Sequence, residues 1–258
     1  MAIVAYMFMK RRVVLSFITA GLALVPVVGA KAFVTAAVPA GATAIGSLPA
    51  SISKPGNYYL ATDLAFTGVG GAAITITASQ VVLYLNGRTL SSSGTNFTIG
   101  VYVANQVDVT IQNGDIDGFG YAGVYLAPDS TDKNAKNVVD NVHFNNDSMA
   151  VLSISGQSNW VKNCIIDGGD IGIYFFADLG GSRASNNTLE AQQATEYPGM
   201  GIALLSIGGS GTYFENNLVS KGSNGTGQLL GSGDKFRFET FLGGAGHMGG
   251  VDQMATSL

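Results

Sequence analysis

The sequence predicts an all-β solenoid, and three observations carry that prediction. Short phrases return along the chain at a spacing of 22 to 30 residues. Within each phrase apolar and polar residues alternate at period two, the pattern of a strand with one buried face. The composition points the same way, with 36 glycines in 258 residues and only 12% charged residues, too much glycine and too little charge for a helical domain.

The phrases justify the elements in turn. "IQNGDI", with Asn113, returns as "VDNVHF" (Asn141), "VKNCII" (Asn163), "ASNNTL" (Asn186) and "FENNLV" (Asn216). An earlier variant, "LNGRTL", holds Asn86, and a later one, "FRFETF", puts Phe238 in the asparagine slot. A second phrase interleaves with the first: "AITI", "GVYV", "GVYL", "VLSI", "GIYF" and "GIAL". A unit of this length with short strands and no helix is the size of one solenoid turn. Leucine-rich repeats share the period but need a leucine ladder that is absent, and propeller blades are longer. Each strand then pairs in parallel with its copy one turn away, at about 4.8 Å, and seven turns make a rod roughly 34 Å long. Inward columns must be apolar. Ile111, Val139, Val161, Ala184 and Phe214 form one, and Ile116, Phe144, Ile166, Leu189 and Val219 another. The asparagines suit a left-handed corner and are expected to bond their copies above and below as an internal ladder.

The ends are separable. Lys10, Arg11 and Arg12, the apolar run "VVLSFITAGLALVPVV" and the small-residue site "AKA" read as a secretory signal peptide over residues 1–32. The rival, a membrane anchor, is disfavoured by the short run and by Pro26. Residues 33–45 read as linker, 46–242 as the solenoid and 243–258 as a C-terminal tail or partial cap. The expected location is secreted, extracellular or periplasmic, with no membrane attachment after cleavage. Removing the four basic residues of the first 32 leaves nine basic against seventeen acidic residues, a formal charge of −8. That excludes nucleic acid, whose phosphates demand a basic face. Cys164 is the only cysteine, so neither an intramolecular disulfide nor a cysteine zinc cluster can form.

The combination "PGNYYL", "ITITASQVVLYLNGRTL", "VYVANQVDVTIQNGDIDGF" and "GVYLA" resembles secreted right-handed parallel β-helix proteins, the pectate-lyase-like superfamily, over roughly residues 45–240. The resemblance implies a single right-handed parallel β-helix of about seven turns. It also implies a polysaccharide partner, with substrate lying along the sheet of the "GVYL" phrases. The outward slots of that sheet are read as Thr75, Tyr102, Tyr125, Ser153, Tyr174 and Ala203. They lack the acidic and basic residues of a cleaving enzyme, and no Asp-Asp pair or Gly-His-Gly is found.

Tyr102, Tyr125 and Tyr174 are the candidate binding residues, because aromatic rings offer sugars a broad, rigid platform. Glu196 and Tyr197 join them from the tip of the long segment "EAQQATEYPGM", and "APDSTDKNAK" lies at the opposite edge. Asp167 and Glu190, four residues after their asparagines, are the candidate catalytic pair. With Asp170 they are the candidate ligands of calcium, the one cofactor considered, which needs six or more oxygens. His143 and His247 have no local partner pattern. Trp160, Arg183 and Tyr213 share one outward slot. Three functions remain open: polysaccharide binding, cleavage of uronic-acid polymers by a lyase or hydrolase using groove-edge carboxylates, and a structural or adhesive surface module.

Overall fold

A left-handed backbone recurs once per turn. Asn86, Asn113, Asn141, Asn163, Asn186 and Asn216 all have φ between 54° and 61°, a conformation asparagine tolerates better than other residues with a side chain. Each turns the chain sharply between two strand segments. In the computed structural model these turns stack into a right-handed parallel β-helix, described for residues 37–93, 97–128, 134–190, 202–209, 211–220, 226–229, 234–237, 239–242 and 255–257.

Two sheets form the walls. The eight-stranded sheet takes one strand per turn, among them Gly71–Ile76, Thr98–Ala104, Ala122–Ala127, Met149–Ile154, Ile171–Phe176 and Ile202–Ile207. The sixteen-stranded sheet bends at the asparagine corner into a limb before it and a limb after it. Two turns cross the corner within one strand, Thr110–Asp117 and Val138–Asn145. Later turns split into a pair, such as Trp160–Lys162 and Ile165–Asp167.

Register confirms both expected inward columns. Val139 pairs with Ile111 and Val161, and Val161 leads to Ala184 and Phe214. Phe144 pairs with Ile116 and Ile166, and Ile166 leads to Leu189 and Val219. All ten are buried in one core. At the first end, strand Thr43–Ile45 begins inside the stretch read as linker, because Ile45 is buried and pairs with Leu60. At the other end Ala255–Ser257 pairs with Glu239–Phe241, so part of the expected tail extends the sheet.

The polar stacking departs from expectation. The corner amides were expected to form an internal ladder, but Asn186 and Asn216 are exposed and Asn141 and Asn163 half-buried. Asn141 donates to Asn113 at 2.9 Å and Asn216 to Asn186 at 2.7 Å, whereas Asn163 donates to Asp140 at 2.8 Å. The buried ladder sits one residue later. Asn187 donates to Asn217 Oδ1 at 2.9 Å and to the Val161 carbonyl at 3.1 Å, while its own Oδ1 accepts from Cys164 N at 2.9 Å. A second buried stack lies at the corner that leads into the sixteen-stranded sheet. There Val109 N donates to Asn137 Oδ1, Asn137 N to Asn159 Oδ1, Asn159 N to Ser182 Oγ and Thr212 N to Asp234 Oδ1. Each side chain thus satisfies a backbone donor of the turn below, which a buried corner would otherwise leave unpaired.

These contacts rank two substitutions. Asn187→Leu removes the side-chain acceptor of the buried Cys164 amide and the side-chain donor to the Val161 carbonyl and Asn217 Oδ1, and is expected to cost about 3 kcal/mol. Asn163→Leu strains a left-handed corner at the half-buried surface and is expected to cost about 1–2 kcal/mol. Urea unfolding of the two variants checks the order; equal losses, or a larger one at Asn163, would place the stabilising ladder at the outer corner instead.

Candidate functional site

The outer face of the eight-stranded sheet carries a cluster of tyrosines, Tyr102, Tyr125 and Tyr174 with Tyr121 beside them. Register sets its central column as Ser51, Thr75, Tyr102, Tyr125, Leu152, Tyr174 and Leu205. The expected occupants Ser153 and Ala203 do not belong to it. Ser153 lies in register with Leu126 and Phe175, on the inward side, and Ala203 follows Gly172 in a neighbouring column that faces the core. The reason is a bend one residue before each inward apolar position. Glycine occupies it as Gly100, Gly123 and Gly172, and a Cβ at Gly172 would run into the Ala203 carbonyl oxygen. Alanine occupies it as Ala73, Ala150 and Ala203, so the phrase loses its glycine marker there, and in the turns of Ala150 and Ala203 its phase slips by one residue or two.

The corrected floor is more apolar than expected. Leu152 is 2% and Leu205 4% exposed, set between the tyrosines. The Tyr102 and Tyr125 rings lie 5.5 Å apart and Tyr121 meets Tyr125 edge-on at 5.8 Å. Tyr174 meets Phe176 in the same way at 5.8 Å. Phe176 and Ile207, in register along the next outward column, are each about 40% exposed. Burial, followed by the neighbouring Tyr121 and Tyr102 hydroxyls, pushes the Tyr125 phenol up to about 12. Burial also raises Tyr174. Both therefore stay neutral at any ordinary pH, able to stack and donate hydrogen bonds but not to act as bases.

Along one edge of this face, at the end of the post-corner limb, run the polar side chains. Asp117, Asn145, Asp167 and Glu190 share one column on four successive turns. The structure thus brings Asp167 and Glu190 into register, as the sequence suggests. It holds Asp170 differently, 5% exposed, with its carboxylate accepting from Ser148 Oγ at 2.9 Å. No group of three or more His, Cys, Asp or Glu side chains among the described residues is arranged to hold a metal ion. Glu196 and Tyr197 lie outside the described residues.

Sequence reasoning passed over His143. Its Nδ1 lies 3.0 Å from Asp115 Oδ1 and its Nε2 3.0 Å from Asp167 Oδ2. The hydrogen bonds to Asp115 and then Asp167 outweigh burial and push the imidazole up to about 9. At neutral pH it is an imidazolium that donates to both carboxylates and ties three turns together. Asp167 therefore gives one oxygen to this clamp. The signal was present in the repeat, since Asp115 and His143 both stand two residues after their corner asparagines. Behind the clamp, Asp147 is 2% exposed; Oδ1 accepts from Phe119 N at 2.8 Å and Oδ2 has no partner. Burial raises its carboxyl well above the usual carboxylate range, against the lowering pull of the Phe119 hydrogen bond.

The clamp makes stability depend on pH, with a definite sign. The folded imidazole binds its proton more tightly than the unfolded one. Its contribution is complete below about pH 6.5 and is lost as pH rises through about 9. After allowance for screening at a site about one-third exposed, the loss is expected to be about 1–2 kcal/mol. Urea unfolding at pH 6, 8 and 10 should show the decline, and His143→Gln should reduce it; an identical decline in the variant would assign it to another group.

Comparison with curated proteins finds no match. A sequence model of the family described as right handed beta helix region matches residues 99–239, more than half of the chain. The stacked parallel turns over the same stretch agree with it, and the chain belongs to the right-handed β-helix family.

Proposed function

We propose that this is a secreted carbohydrate-interacting protein that binds an extended polysaccharide along the outer face of its eight-stranded sheet. The observation that carries the reading is the in-register column Tyr102, Tyr125, Leu152 and Tyr174. Tyr102 and Tyr125 sit one turn apart and Tyr174 two turns further on, so aromatic surface repeats along the axis at multiples of about 4.8 Å. Sugar rings stack their C–H faces on such surfaces, and neutral phenols supply hydrogen bonds at the rim. The central column between Thr75 and Leu205 contains no charged side chain, which favours binding over acid–base chemistry on this floor.

A second reading rests on a different observation. Asp167 and Glu190 are adjacent on successive turns at the edge of the face, where a lyase or hydrolase of uronic-acid polymers would keep its carboxylates. Incubation with pectin and alginate, with and without calcium, separates the two. Binding without new chain ends supports the first reading, unsaturated or reducing ends support the second, and neither result leaves a structural or adhesive module.

Within the binding reading, Tyr125→Ala is expected to weaken polysaccharide affinity by about 1–2 kcal/mol, the scale of one aromatic contact. Affinity electrophoresis against neutral and uronic polymers measures it. Its effect on folding should be smaller than that of Val124→Ala, whose side chain is fully buried. If Tyr125→Ala lowers stability while affinity persists, the tyrosines serve the sheet and not a ligand.

A further inference from the structure

The strands Met149–Ile154, Ile171–Phe176 and Ile202–Ile207 read MAVLSI, IGIYFF and IALLSI. Their inward residues fill the core, yet their outward residues are apolar too. Register aligns these in the columns Leu152, Tyr174, Leu205 and Ile154, Phe176, Ile207, none of which belongs to the buried core. A third column, Met149, Ile171 and Ile202, is aliphatic and lies outside the core as well. Strands apolar on both faces belong to a sheet that is covered on both sides. Here Phe176 and Ile207 are each about 40% exposed, and Leu179, beside them at the next corner, is 50% exposed. Sugars stack on flat rings, and isoleucine and leucine offer none, so sugar stacking does not account for these columns.

The outer face of the pre-corner limb, by contrast, is closed on itself. Its column Trp160, Arg183, Tyr213, Lys235 alternates rings and cations. Trp160 holds Lys162 at 4.5 Å and Arg183 at 5.6 Å, and Tyr213 holds Arg183 at 5.5 Å and Lys235 at 5.1 Å. Asp140 pairs with Lys162 and Glu215 with Arg183, while Lys235 and Arg237 are exposed. Four cations thus meet two carboxylates there, and each ring is already occupied.

We infer that the outer face of the eight-stranded sheet packs against the same face of a second copy of this chain. Charge selects that occupant. The chain carries a formal net charge of −4, so two copies repel one another over most of their surface. The three outward columns from Met149 to Ile207 carry no charge, and there two copies meet without opposing like charges. An anionic lipid surface gains nothing from columns without lysine or arginine. Area allows the contact. Six strands of six or seven residues line the face. At about 4.8 Å between strands and 3.3 Å per residue they cover roughly 550 Å² per copy. The pair then exceeds the roughly 1,000 Å² that a specific interface needs. Shape fits as well, because facing sheets pack about 10 Å apart with their side chains interleaved. The central column Tyr102, Tyr125, Leu152, Tyr174, Leu205 has Leu152 at its middle. A two-fold axis along Met149–Ile154 therefore sets Tyr102 over the buried Leu205 of the second copy and Tyr125 over Tyr174 of the second copy. A polymer on the tyrosines and a second copy occupy this face in turn, so the dimer is the state without polymer.

Sedimentation equilibrium of the full chain, without polysaccharide, is expected to show a species of twice 26.5 kDa that dissociates on dilution and persists at high salt. Phe176→Glu combined with Ile207→Glu puts charge into the contact and should weaken self-association about tenfold or more. The unfolding midpoint should hold, because both side chains are exposed. Lys235→Glu, on the pre-corner limb, should leave the dimer as it is. Hydroxyl-radical labelling of Phe176 and Ile207 in the native chain should fall as the protein is concentrated. A chain that stays monomeric as it is concentrated overturns the dimer. So does a folded double variant that associates like the native protein, or a Lys235→Glu variant that dissociates equally. If the double variant does not fold, labelling of the native chain decides, and labelling that does not change with concentration places any contact elsewhere. A monomer that binds phosphatidylcholine vesicles through Phe176 and Ile207 would assign the face to a neutral lipid surface instead.

Discussion

A single backbone constraint organises this molecule: once per turn, the chain must enter the left-handed region and turn sharply between strands. Six asparagines meet it with nearly the same φ. Because the corner is the same in every turn, the strands on either side stay in register with their copies. Register is what keeps the inward columns apolar from turn to turn, since a slip of one residue would send their side chains outward. The buried cores of the turns, the tyrosine column and the cation–aromatic column all follow from that alignment.

Corners also create the main cost of a solenoid, which is buried backbone left without a strand partner. The two interior stacks answer it. Asn187 and Asn217 satisfy the turn after the asparagine corner, and Asn137, Asn159, Ser182 and Asp234 the opposite one. Asp178 belongs to the same system. It accepts from Ser182 Oγ at 2.6 Å and Thr212 Oγ1 at 3.1 Å, while burial raises its carboxyl. These stacks use whichever small polar residue can reach one turn along, so their identities vary while their geometry does not.

That variation explains what could be read from the sequence. Columns of bulky apolar residues were legible because their type persists from Ile111 to Phe214 and from Ile116 to Val219. So was the outward slot shared by Trp160, Arg183 and Tyr213. The glycine marker of the second phrase was not dependable, because Ala150 and Ala203 take its place at the bend and moved two outward assignments off the column. The interior stacks were partly visible as the doublets Asn186–Asn187 and Asn216–Asn217, but the exposed corner member of each pair drew the attention that belonged to the buried one. His143 was hidden for a different reason. Its partners are 28 and 24 residues away, adjacent only when one turn is laid on the next.

The same stacking sorts chemistry by face. Columns on different walls stay apart, since the corners separate the sheets and limbs that carry them. The eight-stranded sheet presents neutral tyrosines and leucines. The post-corner limb presents Asp115, His143, Asp167 and Glu190, and the pre-corner limb arginine, lysine and aromatic rings. The three walls should therefore answer to different variables. Stacking on the tyrosine face depends little on salt or pH, because the phenols remain neutral and the contact is apolar. The His143 clamp responds to pH through one proton held between turns. The cationic wall responds to salt, because its excess charge is exposed to solvent. Because the corner asparagines hold the columns on separate walls, each variable reads the chemistry of one wall.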